Sequence, residues 1–351
     1  MHILDDIQNY NKLDPSNMLA HLHELPEKCE SAWREAMNIT LPGDYSNLNR
    51  VIILGMGGSA IGGELAQSLV TEKAFTAVHR DYGMPYPLDE KTLVIASSYS
   101  GETEETLDSF SVALDSPAKS IALTTGGRVK ELAERHGKPV FTIKYKAPPR
   151  AALAYSLMPT LAVLHKVGLI ADLTETLSEA KKVMESLSSR ISETVPVHQN
   201  RAKQLALRLQ GRLTVLYGAG FLSGVAHRWK TQINENSKAW AFYEIFPELN
   251  HNAAVGYEFP GELLPIFSVL LLRSSRLHPR ILKRYHITAG ILDKAKIHHE
   301  FVDTEGKELL SQMMFLVLLG DYVSYYMALL NKCDPMPVKV IDHLKKSLSE
   351  N

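Results

Sequence analysis

The chain has little cysteine. Two thiols, Cys29 and Cys333, stand far apart in 351 residues, which excludes a CxxC redox or metal unit and a disulfide framework. It also lacks net charge, since 38 Lys and Arg against 39 Asp and Glu leave −1. No global field favours nucleic acid or an anionic membrane, and neither is expected as a partner. The N-terminus, MHILDDIQNYNKLDPSN, has neither a basic start nor an apolar core, so it does not read as a signal peptide. The longest apolar run is near Leu263–Leu272, too short for a membrane span. A cytoplasmic protein is the expectation. His298 and His299 are adjacent and poorly spaced as metal ligands, and no metal or other cofactor is expected.

What the chain does have is the balance of a globular protein, 45% hydrophobic and 22% charged, with length enough for two domains. Residues 1–44 read as a helical segment. A helix is expected to start at Asp14-Pro15-Ser16-Asn17, and a second to cover about 27–39. From 49 to 145 short apolar runs alternate with helical ones. Strands are expected at 50–54, 75–79, 92–97, 119–123 and 139–143, and helices at 60–71, 103–114 and 128–135. This alternation is that of a doubly wound α/β parallel sheet, whose ligands bind at the carboxyl ends of the strands. Residues 151–194 read as helices. After them Leu213-Thr-Val-Leu-Tyr-Gly218-Ala-Gly220-Phe-Leu-Ser223-Gly224 repeats the plan of Val51 to Gly63. Further strands are expected at 265–272 and 298–303. The reading is an internal duplication, with domains at 45–194 and 195–351 behind the helical segment 1–44.

The first copy carries VIILGMGGSAIGG at 51–63. A buried strand runs into Gly55, Gly57, Gly58 and Ser59, and then into a helix. The free N–H groups and dipole of a helix start attract an anion, glycine lets it approach the backbone, and Ser59 adds a hydroxyl. The same residues also fit a GxGxxA dinucleotide turn with Asp81 as the ribose acid, or a turn that merely closes a strand–helix corner. The next informative loop, Ser97-Ser98-Tyr99-Ser100-Gly101-Glu102-Thr103, puts several hydroxyls at another helix start. A phosphate monoester needs donors from several directions, and a dinucleotide does not need this loop. Simple capping by Ser100 or Thr103 is the plainer alternative. Thr124-Thr125-Gly126-Gly127-Arg128 follows the fourth strand in the same way, and Pro148-Pro149-Arg150 leads into the next helix. A cation at a helix start opposes the dipole, which favours a role for Arg150 toward a negative ligand.

The second copy lacks the GGS and SxSGxT loops, so phosphate is expected in the first domain alone. Its first helix instead carries Asn234, Glu235 and Asn236 in a row, polar where packing on a sheet calls for apolar residues. Glu248-Leu249-Asn250-His251-Asn252 is a polar loop with a histidine. Asp334-Pro335-Met336-Pro337 opens a last helix bearing Lys345 and Lys346. Taken singly, Glu235 reads as a solvated residue or a partner of Lys238, His251 as structural, and Lys345 as a solvated helix end.

Together, GMGGS at 55–59, SYSGET at 98–103, TTGG at 124–127, PPRAAL at 148–153, NENSK at 234–238, ELNHN at 248–252 and DPxP…IDxLK at 334–345 resemble the bifunctional phosphoglucose/phosphomannose isomerase family, built from two sugar-isomerase (SIS) domains. The resemblance spans nearly the whole chain. It implies interconversion of glucose 6-phosphate and mannose 6-phosphate with fructose 6-phosphate through a cis-enediol(ate), without metal. It implies that Gly57, Gly58, Ser59, Ser98, Ser100 and Thr103 hold the sugar phosphate. Arg150 would stabilise the enediolate, Glu235 would move the proton between C1 and C2, and Lys345 would lie near the ring oxygen. His251 would open the ring from a neighbouring subunit, which makes a homodimer the expected assembly. The chain departs from the family pattern at Val338, where some dual-specificity members have threonine; this bears on mannose 6-phosphate more than on glucose 6-phosphate. Two rivals are a non-catalytic SIS sensor of phosphosugars and a nicotinamide-dependent dehydrogenase. The first should carry a basic recognition segment, which 1–44 lacks, and the second leaves the hydroxyl loop without a task.

Overall fold

The computed structural model describes residues 3–70 and 74–350. Of the spans expected to be helical, Met1, His2 and Thr71 lie outside the described residues. In chain order the elements are α1 (Ile7–Leu13), α2 (Met18–Met37), β1 (Arg50–Leu54), α3 (Gly57–Gln67), β2 (Phe75–His79), β3 (Thr92–Ser98), α4 (Glu104–Leu114), β4 (Lys119–Thr124), α5 (Gly127–Arg135) and β5 (Val140–Thr142). There follow α6 (Leu153–Lys166), α7 (Thr174–Ile191), α8 (Arg201–Leu209), β6 (Leu213–Ala219), α9 (Ser223–Ser237), β7 (Ala241–Phe246), β8 (Phe267–Arg273), α10 (Pro279–Lys294), β9 (His298–Asp303), α11 (Leu309–Leu330) and α12 (Lys339–Ser349).

Among the described residues the strands form two parallel sheets. The first has the order β2-β1-β3-β4-β5 and the second β7-β6-β8-β9. Each begins at a central strand, steps to one edge, then crosses back to the other side. The protein is α/β, as its alternating pattern indicates. β1 is apolar and buried from Val51 to Leu54 because both its faces are covered. Its register, Val51 opposite Thr76 and Leu93, sets the ends of β1 and β3 side by side. The loops at their carboxyl ends are thereby neighbours.

Packing divides the chain into two compact units. One consists of Glu24–Met184 and Glu305–Met314, and the other of Met1–His23, Glu185–Thr304 and Phe315–Asn351. The first sheet belongs to the former and the second sheet to the latter.

Four local expectations change. The two helices expected in 18–39 are one continuous α2, with Pro26 inside it. Its start is fixed by the Asp14 carboxylate, which accepts from the Met18 and Leu19 N–H groups at 2.7 and 3.0 Å. The helix after β1 begins at Gly57 rather than near 60, so the glycines form its first turn. Strand β7 was not expected; Phe242 is 45% exposed on this edge strand, so AFYEIF shows no buried run. Finally, α11 is long and apolar enough to cross a membrane, contrary to the expectation that no such run exists. Every residue of that apolar stretch is buried inside the protein, and it carries Asp321, so it reads as a core helix.

Candidate active site

At the carboxyl end of β1, Met56 is extended and Gly57 opens α3 with φ +48°. The N–H groups of Ser59 and Ala60 turn back to the Met56 carbonyl at 3.1 and 3.3 Å. A helix start of this kind presents its leading N–H groups outward. Ser59 is buried, and its hydroxyl accepts the Tyr99 N–H at 3.2 Å. That bond ties the first loop to the second.

The second loop is held by its own hydroxyls. Ser98 Oγ and Thr103 Oγ1 are 2.9 Å apart, and Ser98 Oγ also accepts the Gly101 N–H at 3.2 Å. Ser100 Oγ accepts the Glu102 N–H at 3.2 Å. Thr103 occupies the cap position of α4 with no side-chain capping bond, so its hydroxyl serves the loop instead. The third loop supports the second, because Thr125 donates to the Tyr99 carbonyl from both its N–H, at 3.1 Å, and its hydroxyl, at 2.7 Å. Glu102 accepts the Arg128 N–H at 2.9 Å and its Nε at 2.8 Å, and these bonds hold its carboxyl below the usual range.

Arg150 lies in a short turn, Pro149–Ala151, just before α6, and is 3% exposed. Pro148 and Pro149 fix its approach. A Cβ placed on Gly58 would come 2.8 Å from the Pro149 carbonyl oxygen and 3.2 Å from the Arg150 nitrogen. Only glycine permits that approach, which sets the arginine's backbone against the first loop. The structure therefore brings Gly57, Gly58, Ser59, Ser98, Ser100, Thr103 and Arg150 into one connected set. Asp81 follows β2 on the surface, where its carboxylate accepts the Tyr82 N–H at 2.8 Å.

In the other unit, Glu235 lies near the end of α9, half-buried, and lines a cavity of about 790 Å³ with Asn234, Lys238, Cys333 and Val338. The Lys238 ammonium donates to the carbonyl oxygens of Glu235 and Pro335, the latter at 3.2 Å. Lys238 closes the helix with φ +55°, and Asn234 Nδ2 donates to the Ala239 carbonyl at 2.9 Å. These bonds fix the turn that presents Glu235. Burial pushes the Cys333 thiol up, which keeps it a poor nucleophile.

His251 ends a short turn, Glu248–His251, beyond β7, and is exposed. Buried Leu249 anchors the turn, and Asn250 Nδ2 donates to Thr288 Oγ1 at 2.8 Å. Lys345 is exposed on α12. Neither is among the residues lining the Glu235 cavity, whereas Lys339, Val340 and Ile341 of α12 are. A second cavity of about 420 Å³, lined by Tyr217, Tyr257 and Phe242, holds none of the candidate residues.

Comparison with known proteins decides what this arrangement belongs to. The model of the bacterial phospho-glucose isomerase C-terminal SIS domain matches residues 198–348. The bifunctional phosphoglucose/phosphomannose isomerase of Caldicellulosiruptor bescii is 42% identical over 336 residues, covering 95% of this chain and 99% of that protein. The chain belongs to the bifunctional phosphoglucose/phosphomannose isomerase family. The protein of the same name from Aquifex aeolicus is 34% identical over 311 residues, covering 88% of this chain and 93% of its own. A solved structure of a hypothetical protein from Thermus thermophilus superposes with a TM-score of 0.72, covering 99% of this chain and 93% of that one. Its 18% identity makes that likeness one of fold alone.

For a member of this family the sequence reading passed over three supporting groups. Tyr99, inside the SYSGET stretch, donates its hydroxyl to the Tyr145 carbonyl at 2.6 Å and accepts the Ala147 N–H at 2.8 Å. An aromatic among small hydroxyls was its signal. The Glu102–Arg128 pair, and the bonds from Arg228 and Gln232 of α9 to Asp321 of α11, join residues too far apart in sequence to be matched by spacing.

Proposed function

We propose that this protein is an aldose–ketose isomerase that interconverts glucose 6-phosphate and mannose 6-phosphate with fructose 6-phosphate through a cis-enediol(ate), by metal-independent proton transfer. The observation that carries this reading is the 42% identity to a bifunctional isomerase over almost the full length of both chains. The connected loops of the first sheet support it, because they gather the donors a phosphate monoester requires.

In this reading residues 45–194 form the phosphate-binding SIS domain and 195–351 the second. Gly57, Gly58, Ser59, Ser98, Ser100 and Thr103 hold the phosphate through N–H groups and hydroxyls. The phosphate is a remote handle whose binding energy positions the reacting carbons. Glu235 takes the proton from one carbon and returns it to the other. Arg150, buried and fixed, stabilises the negative oxygen that develops in the transition state. His251 exchanges the ring-opening proton, and Lys345 assists at the ring oxygen.

The same reading includes a homodimer in which His251 acts in the neighbouring subunit. It is supported by exposed apolar side chains that follow that histidine in the chain and by one on the last helix. Val255 is 78% exposed, Phe259 81% and Val340 83%, and large exposed apolar side chains suit a protein interface. The scarcity of cysteine supports a cytoplasmic setting. The test is a coupled assay for fructose 6-phosphate formation from each aldose phosphate, in the presence of a chelator. Turnover of both sugars is expected. Binding of both sugars without turnover would assign the protein to sensing instead.

A further inference from the structure

Helix α9 has two polar faces with different tasks. Lys230, Asn234 and Glu235 line the cavity. Arg228, Gln232 and Asn236, each four residues apart, lie on another face and are buried at 2%, 3% and 0% exposure. All three are engaged with α11. Arg228 Nη2 donates to Asp321 Oδ2 at 2.6 Å, and Gln232 Nε2 to Asp321 Oδ1 at 2.9 Å. Asn236 Nδ2 donates to Ser324 Oγ at 3.0 Å, and that hydroxyl donates to the Asp321 carbonyl at 2.9 Å. Ser237 Oγ donates to the Ser324 carbonyl at 3.0 Å.

Stability alone does not call for such a ladder. Apolar residues of equal volume serve a helix interface as well as a buried ion pair or better. Asp321 is buried, and its carboxyl is pushed up by desolvation, against the pull of Arg228. What directional bonds provide and apolar contacts do not is a single register. Two bonds to the two oxygens of one carboxylate, a turn apart on α9, fix both the rotation and the axial position of that helix. Glu235 follows from that rotation, because it is one residue from Asn236 and points about 100° away from it.

We infer that Asp321 is a positioning residue for the Glu235 carboxylate, acting through Arg228 and Gln232. The inference rests on the reading of Glu235 as the proton-transfer base. A displacement of about 1 Å at a reacting group is enough to cost roughly a hundredfold in rate.

The test is the double variant Arg228→Met with Asp321→Leu, which removes the ladder's charges while keeping its volume. Its melting temperature is expected to stay within a few degrees of the parent's, the relief of the buried ion pair being set against the Gln232 Nε2 left without its acceptor. Its kcat on glucose 6-phosphate is expected to fall about tenfold or more, with KM within about twofold of the parent. Should the double variant fail to fold, Gln232→Met, which removes one bond from α9, is expected to lower kcat about threefold with KM unchanged. A folded variant with parental kcat, or a loss carried by KM alone, overturns the inference. Glu235→Gln is measured alongside. If it keeps parental turnover, the reading of Glu235 fails and takes this inference with it. If it is inactive while the double variant keeps its rate, the inference alone fails.

Discussion

The two sheets begin with the same turn and put it to different use. Gly57 and Gly220 occupy matching places after β1 and β6 and share the left-handed backbone, with φ of +48° and +52°. The next two residues differ. Gly58 and Ser59 in the first copy correspond to Phe221 and Leu222 in the second. Leu222 is fully buried, and α9 starts only at Ser223 after an extra short turn, whereas α3 starts at Gly57. A shared backbone conformation thus serves two ends. With Gly and Ser behind it, the helix start offers N–H groups and a hydroxyl to an anion. With Phe and Leu behind it, the turn sends Leu222 into the core, and the polar residues move to the far end of the helix, where Glu235 sits. The fold repeats while, in the proposed function, the chemistry is divided, with binding on one copy and proton transfer on the other.

The division is broken most severely at Glu235. Glu235→Gln keeps the shape and removes the base, and kcat is expected to fall by about 10²- to 10⁴-fold, with substrate affinity nearly unchanged. Ser59→Ala strikes the binding half. Loss of one hydroxyl to a charged phosphate raises KM by roughly tenfold with kcat retained, read from initial rates on glucose 6-phosphate.

How far was this division legible in the sequence? The first sheet was, because each strand is a compact apolar run closed by glycine or hydroxyl residues, and buried parallel strands leave that trace. Strand β7 was not, since an edge strand with Phe242 exposed and Tyr243, Glu244 and Ile245 only half-buried is neither a buried run nor a clean alternation. Helix α11 left no periodicity, because it is buried on every side. The separate helices expected before and after about residue 27 are one, because α2 runs through Pro26 without a break. The loops at 55–59 and 98–103 declared themselves through composition. Glu235, His251 and Lys345 did not: each is an ordinary charged or polar residue whose role was read from family resemblance. The Asp321 ladder was out of reach, because Arg228 and Asp321 are 93 residues apart.

Smaller effects sharpen the comparison. Val338 lines the Glu235 cavity. Val338→Thr adds a hydroxyl there, and the ratio of kcat/KM for mannose 6-phosphate to that for glucose 6-phosphate is expected to rise about threefold, the scale of one net hydrogen bond. An unchanged ratio would remove Val338 from the account of sugar preference. The smallest effect concerns the Glu102–Arg128 pair. Arg128 lowers the Glu102 carboxyl in the folded state, so the contribution of the pair is present above the ordinary carboxylate range and is lost as pH falls through the lowered value. Both side chains are more than half exposed, so Glu102→Gln is expected to cost at most about 1 kcal/mol at neutral pH. The difference in urea midpoint between parent and variant is expected to vanish in acid.

The division of labour is tested most directly by measuring the dissociation constant for glucose 6-phosphate and kcat on Glu235→Gln and Ser59→Ala side by side. The account predicts opposite outcomes. Glu235→Gln binds the sugar phosphate within about threefold of the parent and scarcely turns it over, while Ser59→Ala turns it over at the parental rate once saturated and binds it roughly tenfold more weakly. Parental turnover by Glu235→Gln, or parental affinity in Ser59→Ala, would contradict it.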